Sequence, residues 1–534
     1  MLEKLIPHRY IFIFFLSVLI IGISTGKIFM SIGTIGLTVN WVFEGDFKNK
    51  IARIKAQFYT AVILSSGYLI HLLWLLNSDN LQYASKDLLV KLPLFLIPLI
   101  IGSSENLNKR EKKGILQLFF VGVFISTILS SLVYFHILPP KENTENVFQI
   151  ALFMSHIRMG LLVSFASILL FYIVAHTQYK YKKGLFLLGI YFFLFLLILQ
   201  SMTAIISWFC GVSVLVLFSN QIRKRNKKYV LLTWGSLISL AFLYVFFIGL
   251  DFYTIKDKRN LKQLPNTSFN GELYHHDTIN KYTENGYYVW VCIAPKELKR
   301  SWEKRSRIPI DSNDIKGQVI RYNLYRYLTS LDLNKDSIGI KKLSPDDIAA
   351  IENGNTSSIV YSRLEERIRG IFFELELYKD GIETNGHSVS QRLFFMKIGL
   401  QIIKENLFFG VGIGDVNDSF VEQYLKTPND LKKENQMRSH NQFLSFFISY
   451  GIVGFSLWLL TILFPIYKIK PKTSVYYIFM VIMIVGFLSD DMLERQAGVA
   501  IYITINSLLL FSFYSIDGDS NVLARTKRTP NINS

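Results

Sequence analysis

The sequence predicts an all-α polytopic membrane protein with about twelve transmembrane helices. Three observations lead there. The residues AVILMFWYC make up 51% of the 534 and charged residues only 18%, well below the roughly 25% of a soluble domain. Apolar runs near the length of about 20 residues that spans hydrocarbon recur along the chain. Lys and Arg cluster in alternate loops between those runs. The net charge of +18 raises nucleic acid as a partner, but its location in short loops makes it a topology signal, and no nucleic acid is expected. Cys210 and Cys292, the two cysteines, lie far apart and form neither a disulfide framework nor a CxxC metal site.

In chain order, the apolar segments are 10–26, 27–43, 57–76, 87–102, 115–138, 149–175, 184–200, 201–219, 229–249, 441–466, 474–490 and 498–516. The first follows Lys4 and Arg9 as a signal peptide would. It lacks a small-residue exit and runs into further apolar sequence, so it reads as an uncleaved helix. The fourth is interrupted by Pro93 and Pro98. With the N-terminus inside, the inside loops are KNKIARIK (48–55), NKREKK (108–113), KYKK (180–183), RKRNKK (223–228), KIKPK (468–472) and ARTKR (524–528). Inside segments hold about 24 Lys/Arg against about four in the short outer loops, Lys27, Lys86, Lys141 and Arg495.

This pattern divides the chain into spans one to nine (1–249), an outer module (250–440), spans ten to twelve (441–516) and an inside tail (517–534). A structureless loop as long as 250–440 would be unusual, so a folded, membrane-docked module is expected there. Within it, 388–409 reads as a docked helix with a capping box of Ser388 and Gln391. Leu393, Met396, Leu400, Ile403 and Leu407 give it one oily face, and Gly410 ends it.

Ionisable residues inside spans are costly and so informative. Arg158, in HIRMG, falls nine residues into its segment, roughly 13 Å deep at 1.5 Å per residue. It faces an anion, or is satisfied by carbonyls or a carboxylate. Lys91 lies near the outer boundary and could also snorkel. His156, on another helix face, reads as a neutral hydrogen-bonded group. Arg392 opens the docked helix, where it solvates, touches lipid phosphate or serves the site. His440 precedes the tenth span with Arg438 two residues before, and is either a base or a helix cap. GVGIGDV (410–416) carries Gly410, Gly412 and Gly414 at alternate positions, which allow close backbone approach but make no phosphate-loop motif. Asp490, Asp491 and Glu494 could orient a base, pair with an arginine or form a solvated turn.

Taken together, Arg158, Arg392, His440 and Lys91 are expected at one outer face. Arginines recognise phosphate oxygens in a planar, bidentate manner, and histidine can take a proton. The outer compartment lacks nucleotide sugars, so a transferase there needs an activated donor held in the membrane. A polyprenyl diphosphate-linked sugar meets that need, its departing diphosphate being the charge to stabilise. No DxD or His/Asp metal cluster is evident, and metal-independent chemistry without a cofactor is expected.

RSHNQFL at 438–444, preceded by GVGIGDV and QRLFFMKIGLQII (391–403), resembles the O-antigen ligase/polymerase family of bacterial envelope enzymes. The resemblance extends to the HIRMG span and the DMLERQAGV turn (491–499). It implies a GT-C-like membrane fold in the inner membrane, with cytoplasmic termini and a periplasmic loop between spans nine and ten. It also implies transfer of a glycan from undecaprenyl diphosphate to a hydroxyl of lipid A-core or a similar acceptor. His440 would be the base and Arg158 and Arg392 the diphosphate clamp, acting with inversion. Lys91, Arg438, Asn441, Gly410, Gly412, Gly414 and Glu494 are expected to contact substrate. Within the family, a polymerase or protein O-glycosyltransferase would use the same leaving group. A lipid-linked glycan transporter or flippase is the alternative of another class.

Overall fold

The computed structural model describes residues 7–139, 150–176, 181–218, 224–314, 318–379, 388–429, 431–469 and 473–513. Lys141, the ARTKR segment and the expected inside tail lie outside the described residues, as do parts of the 180–183, 223–228 and 468–472 loops. Among the described residues the chain is overwhelmingly helical, with one strand pair of two residues each.

Each of the twelve apolar segments contains a helix, but fewer meet the length for a span. Among the described residues seven are long and apolar enough: His8–Thr25, Phe58–Asn77, Lys109–Tyr134, His156–His176, Lys182–Leu199, Lys228–Tyr253 and Gln442–Tyr467. An eighth results if Lys27–Phe43 and Phe47–Ala56, bent by 115°, count as one span. Segment 87–102 is not one rod: Leu81–Lys91 gives way to Pro93–Ser103, because Pro93 starts a new helix at its first position. Met202–Phe218, Ser474–Ser489 and Gln496–Ser512 are apolar but shorter. Sixteen residues cover about 24 Å, less than the roughly 30 Å of hydrocarbon. Among the described residues, twelve full spans are therefore not reached on length.

The chain divides into two compact units, residues 1–234 with 382–534, and 235–381. In the first, His156–His176 is the central helix, buried over most of its length. Small residues let neighbours approach it: Gly160 meets Ala204, Gly211 meets Ile168 and Gly486 meets Leu161. Ser164 Oγ donates to Ala204 O at 2.9 Å and Ser167 Oγ to Gly189 O at 2.9 Å, hydrogen bonds that lipid could not replace.

The second unit has its own core, with Val289, Trp302, Leu324, Leu328 and Ile351 fully buried. Short helices surround it, including Pro295–Trp302, Ile320–Ser330 and Pro345–Glu352, together with the hairpin Thr283–Glu284/Tyr287–Tyr288. Asn285 and Gly286 both have positive φ, the geometry that a two-residue hairpin turn requires. Lys335 is buried here and donates to Tyr288 O at 3.2 Å and Val291 O at 3.3 Å. Burial, reinforced by the Arg259 charge, lowers its pKa to about 7. The unfolded chain then binds more protons than the folded unit between about pH 7 and pH 10.5, so stability rises with pH across that window and is lost as pH falls through it. Resistance of this unit to proteolysis should increase from pH 7 to pH 10, and Lys335→Met should flatten the increase.

Candidate active site

The segment that precedes the Gln442–Tyr467 helix is held at both ends of Asn441. Its side chain accepts from Leu444 N at 3.1 Å, capping the helix, and donates to Leu488 O at 3.0 Å. This ties the cap to the end of the Ser474–Ser489 helix. His440, immediately before it, has φ 48, a left-handed setting that L residues adopt at a cost and that clusters at working sites. Its ring is half-buried, 5.9 Å from that of Phe395.

Asp490, where the Ser474–Ser489 helix ends, is the focus of the basic residues. Arg158 Nη2 donates to its Oδ2 at 2.8 Å. His440 Nδ1 lies 3.8 Å from Oδ1, an ion-pair distance rather than a hydrogen bond. Arg392 is close enough for its charge to act on the same carboxyl. Burial opposes ionisation of Asp490, but His440, Arg158 and Arg392 outweigh it and hold its pKa below the usual carboxylate range. The neighbouring Asp491 shifts the other way: burial raises its pKa against the pull of Arg438, while Ser445 Oγ donates to it at 2.7 Å. Arg158 Nε is buried and finds no hydrogen-bond partner among the described residues, so an oxyanion placed there would satisfy it.

Arg158 reaches this point from the first turn of its helix, not from nine residues inside a span. Residues 151–155 are irregular, and the Ser155 hydroxyl accepts from Arg158 N at 3.4 Å as the helix begins. His156 is the first helical residue. Arg392 lies in the second turn of Ser388–Glu405; the cap of that helix falls at the edge of the described residues. Phe395, Ile398 and Ile402 of this helix pack on Val416, Phe420 and Ile448. Leu400, Leu407, Phe408 and Phe409 are exposed.

Lys91, Arg438 and Glu494 belong to a second, buried network. Lys91 Nζ lies 2.5 Å from Asp87 Oδ1 and 3.1 Å from Glu494 Oε1. Arg438 Nη1 contacts Glu494 Oε2 at 3.2 Å and the Tyr83 hydroxyl at 3.1 Å. Asp87 also accepts from His71 Nε2 at 2.6 Å, which leaves Nδ1 to accept the Tyr450 hydroxyl at 2.5 Å. Burial works against the Glu494 carboxylate, but Lys91 and Arg438 hold its pKa below the ordinary value. These residues lock the 438–441 segment to the 490–495 turn, and their charges are largely consumed by one another. Arg438 Nε alone remains buried without a partner among the described residues.

The three glycines form a joint. The Gln442–Tyr467 helix breaks at Gly451, φ 60 and ψ −171, which frees two carbonyls and two amides of its ladder. The 407–412 loop takes up all four: Val411 N to Ile448 O (2.9 Å), Gly412 N to Ser449 O (3.0 Å), Ile452 N to Leu407 O (2.8 Å) and Val453 N to Phe408 O (3.2 Å). A Cβ on Gly410 would lie 2.5 Å from Gly451 N and Ile448 O. Gly412 and Gly414 approach Asn77 O and Asn80 O as closely. The cavity beside Gly410 is lined by Asp79, Glu405, Asp415, Asp418 and Glu422 against one cation, Lys426, a net-negative setting that disfavours a diphosphate. Gly410→Ala should cost roughly 1–3 kcal/mol through strain and loss of these bonds, read as a lowered thermal transition of the detergent-purified protein.

His71 and Asp87 join the Lys91–Glu494 network without being among the residues that the sequence singles out. His71 lies within an apolar run and Asp87 is four residues before Lys91; the same rule that singled out Arg158 applies to both. Asp490 was seen only as part of a cluster. Among the described residues no three His, Cys, Asp or Glu side chains group as a metal site.

Fold and site together define a predominantly helical integral membrane protein with a cluster of paired charged residues at its helix ends. Residues 348–459 match the O-antigen ligase family model. That stretch, similar to the O-antigen ligase family over about a fifth of the chain, holds Arg392, Arg438, His440, Asn441 and the three glycines. Arg158, Lys91, Asp490 and Glu494 lie outside it. No curated protein matches the chain.

Proposed function

We propose that this protein is an O-antigen ligase-like glycosyltransferase of the bacterial inner membrane, moving a glycan from undecaprenyl diphosphate to a hydroxyl of lipid A-core or a similar acceptor. The reaction takes place at the periplasmic face and needs no metal. The observation that carries this reading is the meeting of Arg158, Arg392 and His440 around Asp490, with Arg158 Nε buried and unpaired among the described residues.

The Asp490 carboxylate that faces His440 Nδ1 stabilises the imidazolium formed as Nε2 takes the proton from the acceptor hydroxyl. That oxygen attacks the anomeric carbon and the bond to the diphosphate breaks with inversion. Undecaprenyl diphosphate leaves with its added charge against Arg158 and Arg392. Lys91, Asp87, Glu494 and Arg438 are positioning residues that hold the His440 segment and the Asp490 turn in register. The donor lipid packs against the exposed Leu400, Leu407 and Phe408. A polymerase or a protein O-glycosyltransferase would use the same centre.

Envelope glycans of a deletion strain test this. Loss of long glycan from lipopolysaccharide with accumulation of the lipid-linked form, restored by wild type but not by Arg158→Glu, is the expected result. Chains of a single repeat would reassign the protein as a polymerase. An unchanged envelope would overturn the reading.

A further inference from the structure

The 235–381 unit contains a cavity of about 340 Å³ that the proposed chemistry does not use. It is open on one side and sits at the lower end of the range for small-molecule sites, so it admits a short piece of a ligand rather than a whole chain. Its walls combine two kinds of surface. Phe373 and Tyr361 supply aromatic rings, and Asn285, Arg326, Thr356 and Glu366 supply hydrogen-bonding groups.

These groups are prearranged. Arg326 Nε donates to Glu284 Oε2 at 2.7 Å, and its guanidinium lies 5.8 Å and 5.7 Å from the Tyr282 and Phe373 ring centroids. That fixes the plane of the guanidinium at low entropic cost. Tyr361 donates to Asn285 Oδ1 at 2.9 Å and Asn285 Nδ2 donates to Ser357 Oγ at 3.0 Å, which clips the 354–361 strap to the hairpin turn.

Charge decides the class of ligand. Both lining arginines are already paired, Arg326 with Glu284, and Arg369 with Asp251 at 2.7 Å and Glu365 at 3.0 Å. A phosphate would find those cations engaged and Glu366 beside it. A hydrocarbon ligand would strand the polar groups. A sugar ring fits both surfaces, with C–H groups for the Phe373 ring and hydroxyls that donate to Glu366 and accept from side-chain amides.

We infer that this cavity is a glycan-binding subsite that holds one end of a neutral sugar chain. The inference rests on the transferase reading, which supplies two sources of such sugars: the donor's repeat unit and the acceptor's core oligosaccharide.

The test uses the full chain in detergent and saturation-transfer NMR. Three probes are compared: repeat-unit oligosaccharide released by mild acid from the host envelope, core oligosaccharide from its lipopolysaccharide, and inorganic phosphate. Wild type should bind at least one oligosaccharide, and the one bound identifies the source. Asn285→Ala and Glu366→Ala should each weaken binding about tenfold, the loss of roughly one hydrogen bond. Glu366 is exposed, so its variant keeps the test valid if Asn285→Ala misfolds. Failure of both oligosaccharides to bind, unchanged binding by Glu366→Ala, or binding of phosphate alone would overturn the inference. Oligosaccharide binding by a wild-type protein that forms no glycosidic bond in membrane vesicles would sink the transferase reading while the binding data stood.

Discussion

Replacing His440 by alanine is expected to lower glycan transfer by about 100- to 10,000-fold, the range for loss of a general base. The protein should still insert and purify normally. His440 is half-buried, and its side chain makes a 3.8 Å charge contact and a ring contact rather than a core hydrogen bond. Alanine meets the same left-handed backbone that histidine does, so the substitution should not collapse the segment that Asn441 anchors. Asp490→Asn separates two roles. It removes the carboxylate that faces the imidazole and frees Arg158 from its partner, so transfer should fall while affinity for the diphosphate donor is kept or rises. A His440→Ala protein with full transfer in membrane vesicles would remove the base assignment.

Lys91→Met is expected to be the most destabilising single change, by roughly 3–5 kcal/mol, the cost of breaking a buried ion pair. Lys91 is fully buried between Asp87 and Glu494, and its loss leaves both carboxylates facing each other with only His71 and Arg438 to balance them. Lys91→Met with Glu494→Gln should recover part of the loss, since the second change removes one stranded charge; the difference is a coupling energy that a double-mutant cycle reads directly. The measurement is thermal unfolding in detergent, and a wild-type transition for Lys91→Met would contradict the buried network.

The helical class and the residues around Asp490 were legible because each leaves a one-dimensional trace. Apolar runs record the spans, and Arg158 and His440 stand out in or beside such runs. Span count was less legible, because the length of an apolar run does not reveal where Pro93 restarts a helix or how far 27–43 bends into 47–56. The network was invisible as a network. Asp87 and Lys91 are close in sequence, but their partners Glu494, Arg438, His71 and Tyr450 come from three other parts of the chain. The glycines were seen as a place of close approach, and their partner, the broken helix at Gly451, was not. The walls of the sugar-sized cavity come from scattered positions between Phe252 and Phe373, and no periodic pattern in the sequence marks them.

Reconstitution of the purified protein in vesicles with a defined undecaprenyl diphosphate-linked glycan and core lipid A tests the central claim most directly. Formation of glycan-extended lipid A with an equal amount of undecaprenyl diphosphate, abolished by His440→Ala, is the expected result. Movement of the lipid-linked glycan between leaflets with no new glycosidic bond would contradict it and make the protein a transporter.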